Sequence, residues 1–231
     1  MKTWLHLGEK TPDYRSVMSA QGDIRIGSKI IPKGRTVIAE QIAGDGIHIC
    51  SEADGGAGWG DHSQIAGVDA LITSVPGQYL LVRTADCYPV LLQDAQNRAV
   101  AAIHSGREGT RLNIVGKTVR VLQDEYGILP AEITAHIGAG ICARHYEVDE
   151  ATWESFNTSL KEMGCAADAA PAGSRHLDLR LAIFRQLIAA GIPFYDIEQQ
   201  FVCTLESAVH HSYRRDRTSN RQMNLIGLEY E

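Results

Sequence analysis

The sequence predicts an α+β fold, a layered αβα sandwich around a central mixed β-sheet. Three observations predict it. Short β-branched runs recur through the first half of the chain, two later segments carry apolar residues at helical spacing, and the two kinds of segment mix without a strict βα repeat. A hydrophobic fraction of 44% over 231 residues supports a sizeable core, and a single domain over residues 1–231 is expected, with a short atypical segment at 1–35.

The elements follow in order. Asp23 to Ile26 and Lys29 to Ile31 read as an early meander. Thr36 to Ile42 and Gly46 to Cys50 are β-branched runs separated by Ala43-Gly44-Asp45, and a tight connection of that kind predicts a hairpin. Ser51 to Gly67, rich in Gly, Asp and Ser, predicts a long functional or mobile loop. Tyr79 to Thr84, Pro89 to Gln93 and Ala99 to His104 are the strongest strands. The last has no polar alternation and should be buried on both faces, at the centre of the sheet. Val115, Val119, Leu122 and Tyr126 define one helix ending before Gly127, and Ala182, Arg185, Leu187 and Ile188 another ending before Gly191. Between them come a strand at Ile133 to Ile137 and a helix capped by Asp149 and reaching about Met163. A strand from Ile197 to Cys203 and a basic segment from Ser212 to Arg221 close the chain.

A net charge of −6 argues against nucleic acid as the partner, because neutralising phosphates takes clustered Lys and Arg. No stretch approaches the roughly 20 apolar residues of a membrane span, and the first residues lack the apolar run of a secretory signal, so a cytoplasmic protein is expected, as a monomer or small homo-oligomer. Five scattered cysteines, never in a CxxC pair, predict free thiols.

The chemistry gathers at two strand ends. Cys87, in TADCYP, follows one strand directly, and His104 ends the next but one, so both can lie on one rim of the sheet. A thiolate and an imidazole there have two readings, a soft-ligand site for zinc or copper or a thiol nucleophile with a histidine base. Asp86 could orient either partner, and Arg83 and Arg107 flank them as candidate substrate contacts with the planar fork that suits phosphate. The IGAGIC stretch fails the spacing of a dinucleotide fingerprint and reads as a turn of packed glycines, with Cys142 and His145 beside it. The adjacent Arg214, Arg215 and Asp216 more often build a structural ion-pair network than a substrate clamp.

VRTADCYPVLL, AAIHSG, HYEV, LDL and SYRRD occur in an order and spacing that resemble the laccase-domain (multicopper polyphenol oxidase-like, purine nucleoside phosphorylase-like) family, from about Thr36 to the C-terminus. The resemblance implies that family's fold, shared with a Cys–His toxin domain. It also implies a metal-dependent purine nucleoside phosphorylase or adenosine deaminase activity on adenosine or inosine with phosphate, and a zinc ion, copper being the older description. By motif position the implied ligands are Cys87 and His104. The family's HAGWRG reads here as His104-Ser105-Gly106-Arg107-Glu108-Gly109, and its Q-x-H-G pattern, laid on EQIAGDG, puts Ala43 where the family has a ligand histidine. The third nitrogen then falls to His62, in the long loop, or to His48. Two alternatives stand beside this reading: a thiol hydrolase built on Cys87 and His104, and a catalytically degenerate member, without a cofactor, that serves as a binding module.

Overall fold

The computed structural model describes residues 1–165 and 174–230. Its strands are β1 (Lys2–His6), β2 (Ile24–Ile26), β3 (Lys29–Ile31), β4 (Thr36–Ile38), β5 (Ile47–Cys50), β6 (Ala70–Thr73), β7 (Tyr79–Thr84), β8 (Tyr88–Asp94), β9 (Val100–Ser105), β10 (Ile133–Ile137), β11 (Ile197–Gln199) and β12 (Gln222–Glu229). Its α-helices are α1 (Tyr14–Ser19), α2 (Arg107–Arg111), α3 (Ile114–Tyr126), α4 (Glu150–Glu162), α5 (Leu179–Ala189) and α6 (Tyr213–Asp216).

The α+β class holds, with helices layered on mixed sheets. The central sheet has six strands in the order β11-β10-β8-β9-β6-β5, and a second sheet runs β1-β12-β7-β4. Each combines parallel and antiparallel pairs: β5 runs parallel to β6 and β11 to β10, while β8, β9 and β6 are antiparallel neighbours. The two sheets meet face to face. Leu71, Leu91, Val100 and Ala102 of the central sheet pack against Leu80, Val82, Ile226 and Leu228 of the other. On the far face Ile72, Val90, Ala101 and Ile103 meet Val115, Val119 and Leu122 of α3, Phe156 and Leu160 of α4, and Ile183 and Leu187 of α5. The unbroken apolar run of β9 follows from this, since alternate residues enter different cores and both cores are dry.

Local signals set the helix ends. Asp149 accepts from the Thr152 N–H and Asp178 from the Leu181 N–H, so both helices start with a capped amide. Gly127, in the left-handed region at φ 63°, ends α3.

Two expectations about connectivity are corrected. Thr36 to Ile42 and Gly46 to Cys50 form no hairpin: β4 pairs parallel to β7 in one sheet and β5 parallel to β6 in the other. Ala43-Gly44-Asp45 is therefore a crossing between sheets, turned by Gln41 and Ala43 at φ 62° and 63°. The strand expected from Ile197 to Cys203 stops at Gln199; beyond it the Gln200 N–H donates to the Ile137 carbonyl and Cys203 forms a bridge with Gly140. The loop at 51–67 also proves to be packed: Trp59 is buried with Val17, Ile24 and Ile31 on the outer face of the four-stranded sheet.

Candidate active site

Three registers assemble the site. Because β8 and β9 are antiparallel with Tyr88 opposite Ser105 and Pro89 opposite His104, the turn that enters β8 lies beside the end of β9. That turn, Ala85-Asp86-Cys87, carries the chain from β7 in one sheet to β8 in the other. It places Cys87 next to His104. A Cβ built on Gly106 would lie 3.1 Å from Cys87 Sγ and 3.8 Å from His104 Nε2, which is the reason a glycine stands there.

The second register is β6 with β9, Ala70 opposite Ile103. It brings Asp69, fully buried, level with His104: the His104 N–H donates to the Asp69 carbonyl at 2.8 Å, and His104 Nδ1 lies 2.7 Å from Asp69 Oδ1. The same carboxylate accepts the Ala43 N–H at 3.0 Å and the Gly44 N–H at 2.8 Å. With Nδ1 on Asp69, the ring's other nitrogen is left on the side of Cys87 Sγ. Burial works to lower the His104 pKa. Its neighbours Cys87 and the Asp69 carboxylate outweigh it and hold the imidazole at about 9. An Asp–His–Cys relay results, with the imidazolium as its middle member.

The third register is long-range and fixes Asp86. Its carboxylate, expected to orient Cys87 or His104, turns away from both: Oδ1 accepts from the Thr204 hydroxyl at 2.7 Å and Oδ2 from the Arg214 N–H at 2.7 Å. The cause is local, since φ of 93° at Asp86 directs its side chain to the opposite side of the turn. Asp69 does what Asp86 was expected to do. Its one signal in the sequence is a carboxylate heading the apolar run Ala70-Leu71-Ile72, where an acid needs a buried partner. The SYRRD segment is the one-turn helix α6. Arg215 donates to the carbonyls of Thr204, Leu205, Ser207 and His210 and pairs with Asp216, so it is a structural staple, as its spacing suggested.

A cleft of about 440 Å³ opens over Cys87 and His104, bounded by Tyr14, Glu40, Arg83, Tyr213 and Arg221. Arg83 stacks on the Tyr14 ring at 4.8 Å and donates to the carbonyls of Ala39 and Glu40 and to Gln41 Oε1, while Arg221 donates to the carbonyls of Thr218 and Asn220 and lies over Tyr213. Among the described residues, the hydrogen-bond partners of both guanidinium groups are neutral oxygens. Beside the His104 relay the cleft therefore presents two guanidinium groups against the carboxylate of Glu40. Arg107 is exposed and lines a separate hollow of about 430 Å³ with Tyr146, Asp149 and Arg214. A smaller hollow between the two, about 210 Å³, touches Cys87, Tyr146, Tyr213 and Arg214.

The residues around Cys87 do not complete the expected metal set. His62 is exposed in its loop and is not among the residues that bound the cleft, and His48, on the edge strand β5, has Nε2 3.3 Å from Asp54 Oδ2. Ala43 contributes only its backbone N–H. Among the described residues no third His, Cys, Asp or Glu joins Cys87 and His104 within 4.8 Å, whereas Cys142, His145 and Cys203 do form such a cluster, one that could hold a metal ion. The glycines of IGAGIC are packing devices: a Cβ on Gly138 would meet Pro89 at 2.6 Å and one on Gly140 the Tyr88 ring at 2.6 Å.

The family model for multi-copper polyphenol oxidoreductase laccase matches residues 4–229. A purine nucleoside phosphorylase of Streptomyces coelicolor is 35% identical over 97% of this chain and 88% of its own length, and one of Corynebacterium glutamicum is 33% identical over 98% and 86%. Among solved structures, the hypothetical protein YfiH of Bacillus licheniformis superposes with a TM-score of 0.81 at 26% identity, covering 98% of this chain and 92% of that one. YlmD of Geobacillus stearothermophilus superposes at 0.78 and 32%, covering 87% and 76%.

Proposed function

The chain belongs to the multi-copper polyphenol oxidoreductase laccase family, and from that premise we propose that it is a purine nucleoside phosphorylase that uses the Asp69–His104–Cys87 relay. Supporting the reading is the position of that relay in a tyrosine-walled cleft that also presents two guanidinium groups, in a chain whose full-length relatives carry the phosphorylase name.

In the proposed reaction a phosphate oxygen forms a bond to C1′ of the nucleoside while the C1′–N9 bond breaks. The purine leaves with the bonding pair and takes up a proton. Arg83 and Arg221 offset the charge of the phosphate. Tyr213, half-exposed and shared by the cleft and the smaller hollow, offers the base a ring face. His104, charged at neutral pH, supplies the proton or stabilises the charge that develops on the leaving purine. Asp69 is a positioning residue that fixes the tautomer and cation. Cys87 and His104 alone are too few to hold a catalytic zinc, which takes three protein ligands, so no step passes through a metal here.

The test incubates adenosine and inosine with and without phosphate and follows base, sugar phosphate and ammonia. Free base and ribose 1-phosphate that appear only with phosphate are expected, with a loss of about 100-fold or more in His104→Ala. Ammonia from adenosine without base release makes the chain a deaminase instead. Absence of any phosphate-dependent product sinks the proposal.

A second reading has its own observation. An acid–imidazole–thiol relay is also the arrangement that activates a cysteine nucleophile, and it needs no third metal ligand. Rapid alkylation of Cys87 at near-neutral pH, lost in Asp69→Asn, together with no phosphate-dependent turnover, would favour the thiol hydrolase.

A further inference from the structure

Beneath the Cys87 turn lies a second constellation that the proposed reaction does not use. Cys142 Sγ is 3.3 Å and Cys203 Sγ 3.5 Å from a single atom, His145 Nδ1, and Glu206 Oε1 lies 3.6 Å from that nitrogen. An imidazole nitrogen has one lone pair and accepts from one thiol at a time, so two sulfurs converging on it make a crowded hydrogen-bond arrangement but a natural ligand set. A tetrahedral ion explains both. With Zn–S near 2.3 Å and Zn–N near 2.05 Å, the ligands of one ion stand about 3.6 Å apart for S···N and about 3.4 Å for N···O, close to the separations found.

We propose that Cys142, His145 and Cys203 bind a zinc-class divalent ion at a structural site separate from Cys87 and His104, with the exposed Glu206 carboxylate beside His145 turning in as the fourth ligand. The surroundings suit it. The Cys142 N–H points at Cys203 Sγ at 3.3 Å, the outer hydrogen bond that favours a thiolate ligand. Arg144 pairs with Glu206 and sits against Cys142. Two thiolates and a carboxylate then balance a divalent cation and a guanidinium. A small hollow of about 140 Å³ reaches Cys142, Cys203 and Glu206 from solvent and provides entry. Binding displaces the two thiol protons, so affinity rises with pH.

The ion would clamp two segments that are joined by the bridge of Gly140 with Cys203, the Thr204 N–H bond to the Gly140 carbonyl and the Arg144–Glu206 ion pair. Both segments hold the Cys87 turn: Thr204 binds the Asp86 side chain, and the Ile141 N–H donates to the Asp86 carbonyl at 2.8 Å.

The experiment uses the full chain with Cys87→Ser, reduced and stripped of metal, titrated with Co²⁺. One ion per chain is expected, with tetrahedral absorption and a thiolate charge-transfer band. Adding Cys203→Ser or Cys142→Ser should lower the affinity about 100-fold and halve the band. Should those variants fail to fold, mass spectrometry of the otherwise unaltered chain replaces them: one equivalent of zinc should protect Cys142 and Cys203, but not Cys87, from alkylation. Absence of stoichiometric binding, a spectrum indifferent to Cys203→Ser and Cys142→Ser, or a Cys142–Cys203 disulfide that forms with one equivalent of zinc present overturns the proposal. Because no activity is measured and Cys87 is replaced, the result is independent of the phosphorylase reading.

Discussion

Asp69→Asn separates the carboxylate that serves His104 from the one that only neighbours Cys87. Asp69 is fully buried and accepts three hydrogens, from His104 and Ala43 at one oxygen and from Gly44 at the other. Asparagine offers one oxygen and one NH₂ group. If the oxygen faces His104 and Ala43, the amide donor confronts the Gly44 N–H; if it is flipped, the donor confronts the Ala43 N–H. Either way a part-buried amide loses its acceptor, at about 1 kcal/mol, and a charge-assisted bond to His104 worth about 1.5–3 kcal/mol is weakened. A loss of about 3 kcal/mol at pH 7 is expected, or about 10 °C in Tm for a chain of this size. The same change removes the Asp69 charge that helps hold His104 up, so its pKa falls toward the value burial favours. Asp86→Asn is the control. Its oxygen can keep the Arg214 N–H while its NH₂ donates to the Thr204 hydroxyl, which can accept, so little stability is lost and the His104 titration stays in place. Denaturant unfolding of the three proteins and imidazole titration by NMR read both quantities. A stability change under about 0.5 kcal/mol in Asp69→Asn, or an equal fall of the His104 pKa in Asp86→Asn, would refute the relay.

Stability should depend on alkaline pH through His104. Its folded pKa of about 9 exceeds the ordinary 6.5, so its contribution, at most about 3 kcal/mol, is fully present below about 6.5 and lost as pH rises through 9; His104→Gln should flatten that slope in denaturant midpoints measured from pH 6 to 10. Gly106→Ala should inactivate without unfolding, because the added methyl stands 3.1 Å from Cys87 Sγ and must push the thiol from the imidazole. A circular dichroism melt near wild type with kcat reduced at least about 10-fold is the expected pair of results, and unchanged kcat would show that the Cys87–His104 contact is dispensable. Ala43→His should create metal binding at the cleft. Residue 43 bonds Asp69 through its N–H and holds φ 63°, a region that histidine enters more readily than alanine, so elemental analysis should find about one more zinc per chain than in the parent.

What could be read from the sequence follows the range of each interaction. Cys87 and His104 were legible because each sits at the end of a strand with an unmistakable apolar pattern, and adjacent strands share a rim. Asp69 was not, since its link to His104 is a cross-strand register between residues 35 apart, and Asp86, next to Cys87 in the chain, was the natural but mistaken choice. The false hairpin at 36–50 has the same origin. Its two runs and turn residues satisfy every local rule, yet β4 and β5 find better partners in β7 and β6, so the turn residues bridge two sheets. Far from failing there, the local signal for positive φ at Ala43 and Gln41 was put to a different use, bringing two amides onto Asp69.

Both clusters therefore depend on the seam where the chain passes between the sheets. The turn at 85–87 crosses it to present Cys87 and the turn at 43–45 crosses it to cap Asp69, while the bridge from Gly140 to Cys203 continues the β10–β11 pair beside it. Cys142 and His145 show their ligand spacing within one loop, but Cys203, 58 residues beyond His145, joins them only through that bridge. Asp86 ties the levels together, bound on one side to Thr204 and on the other to Arg214 of α6. A perturbation at the lower cluster thus has a short covalent and hydrogen-bonded route to Cys87, through Thr204 and Asp86, whereas it reaches His104 only through Cys87, because His104 is anchored separately by Asp69. Loosening Cys203 should accordingly disturb the thiol of the relay before its imidazole.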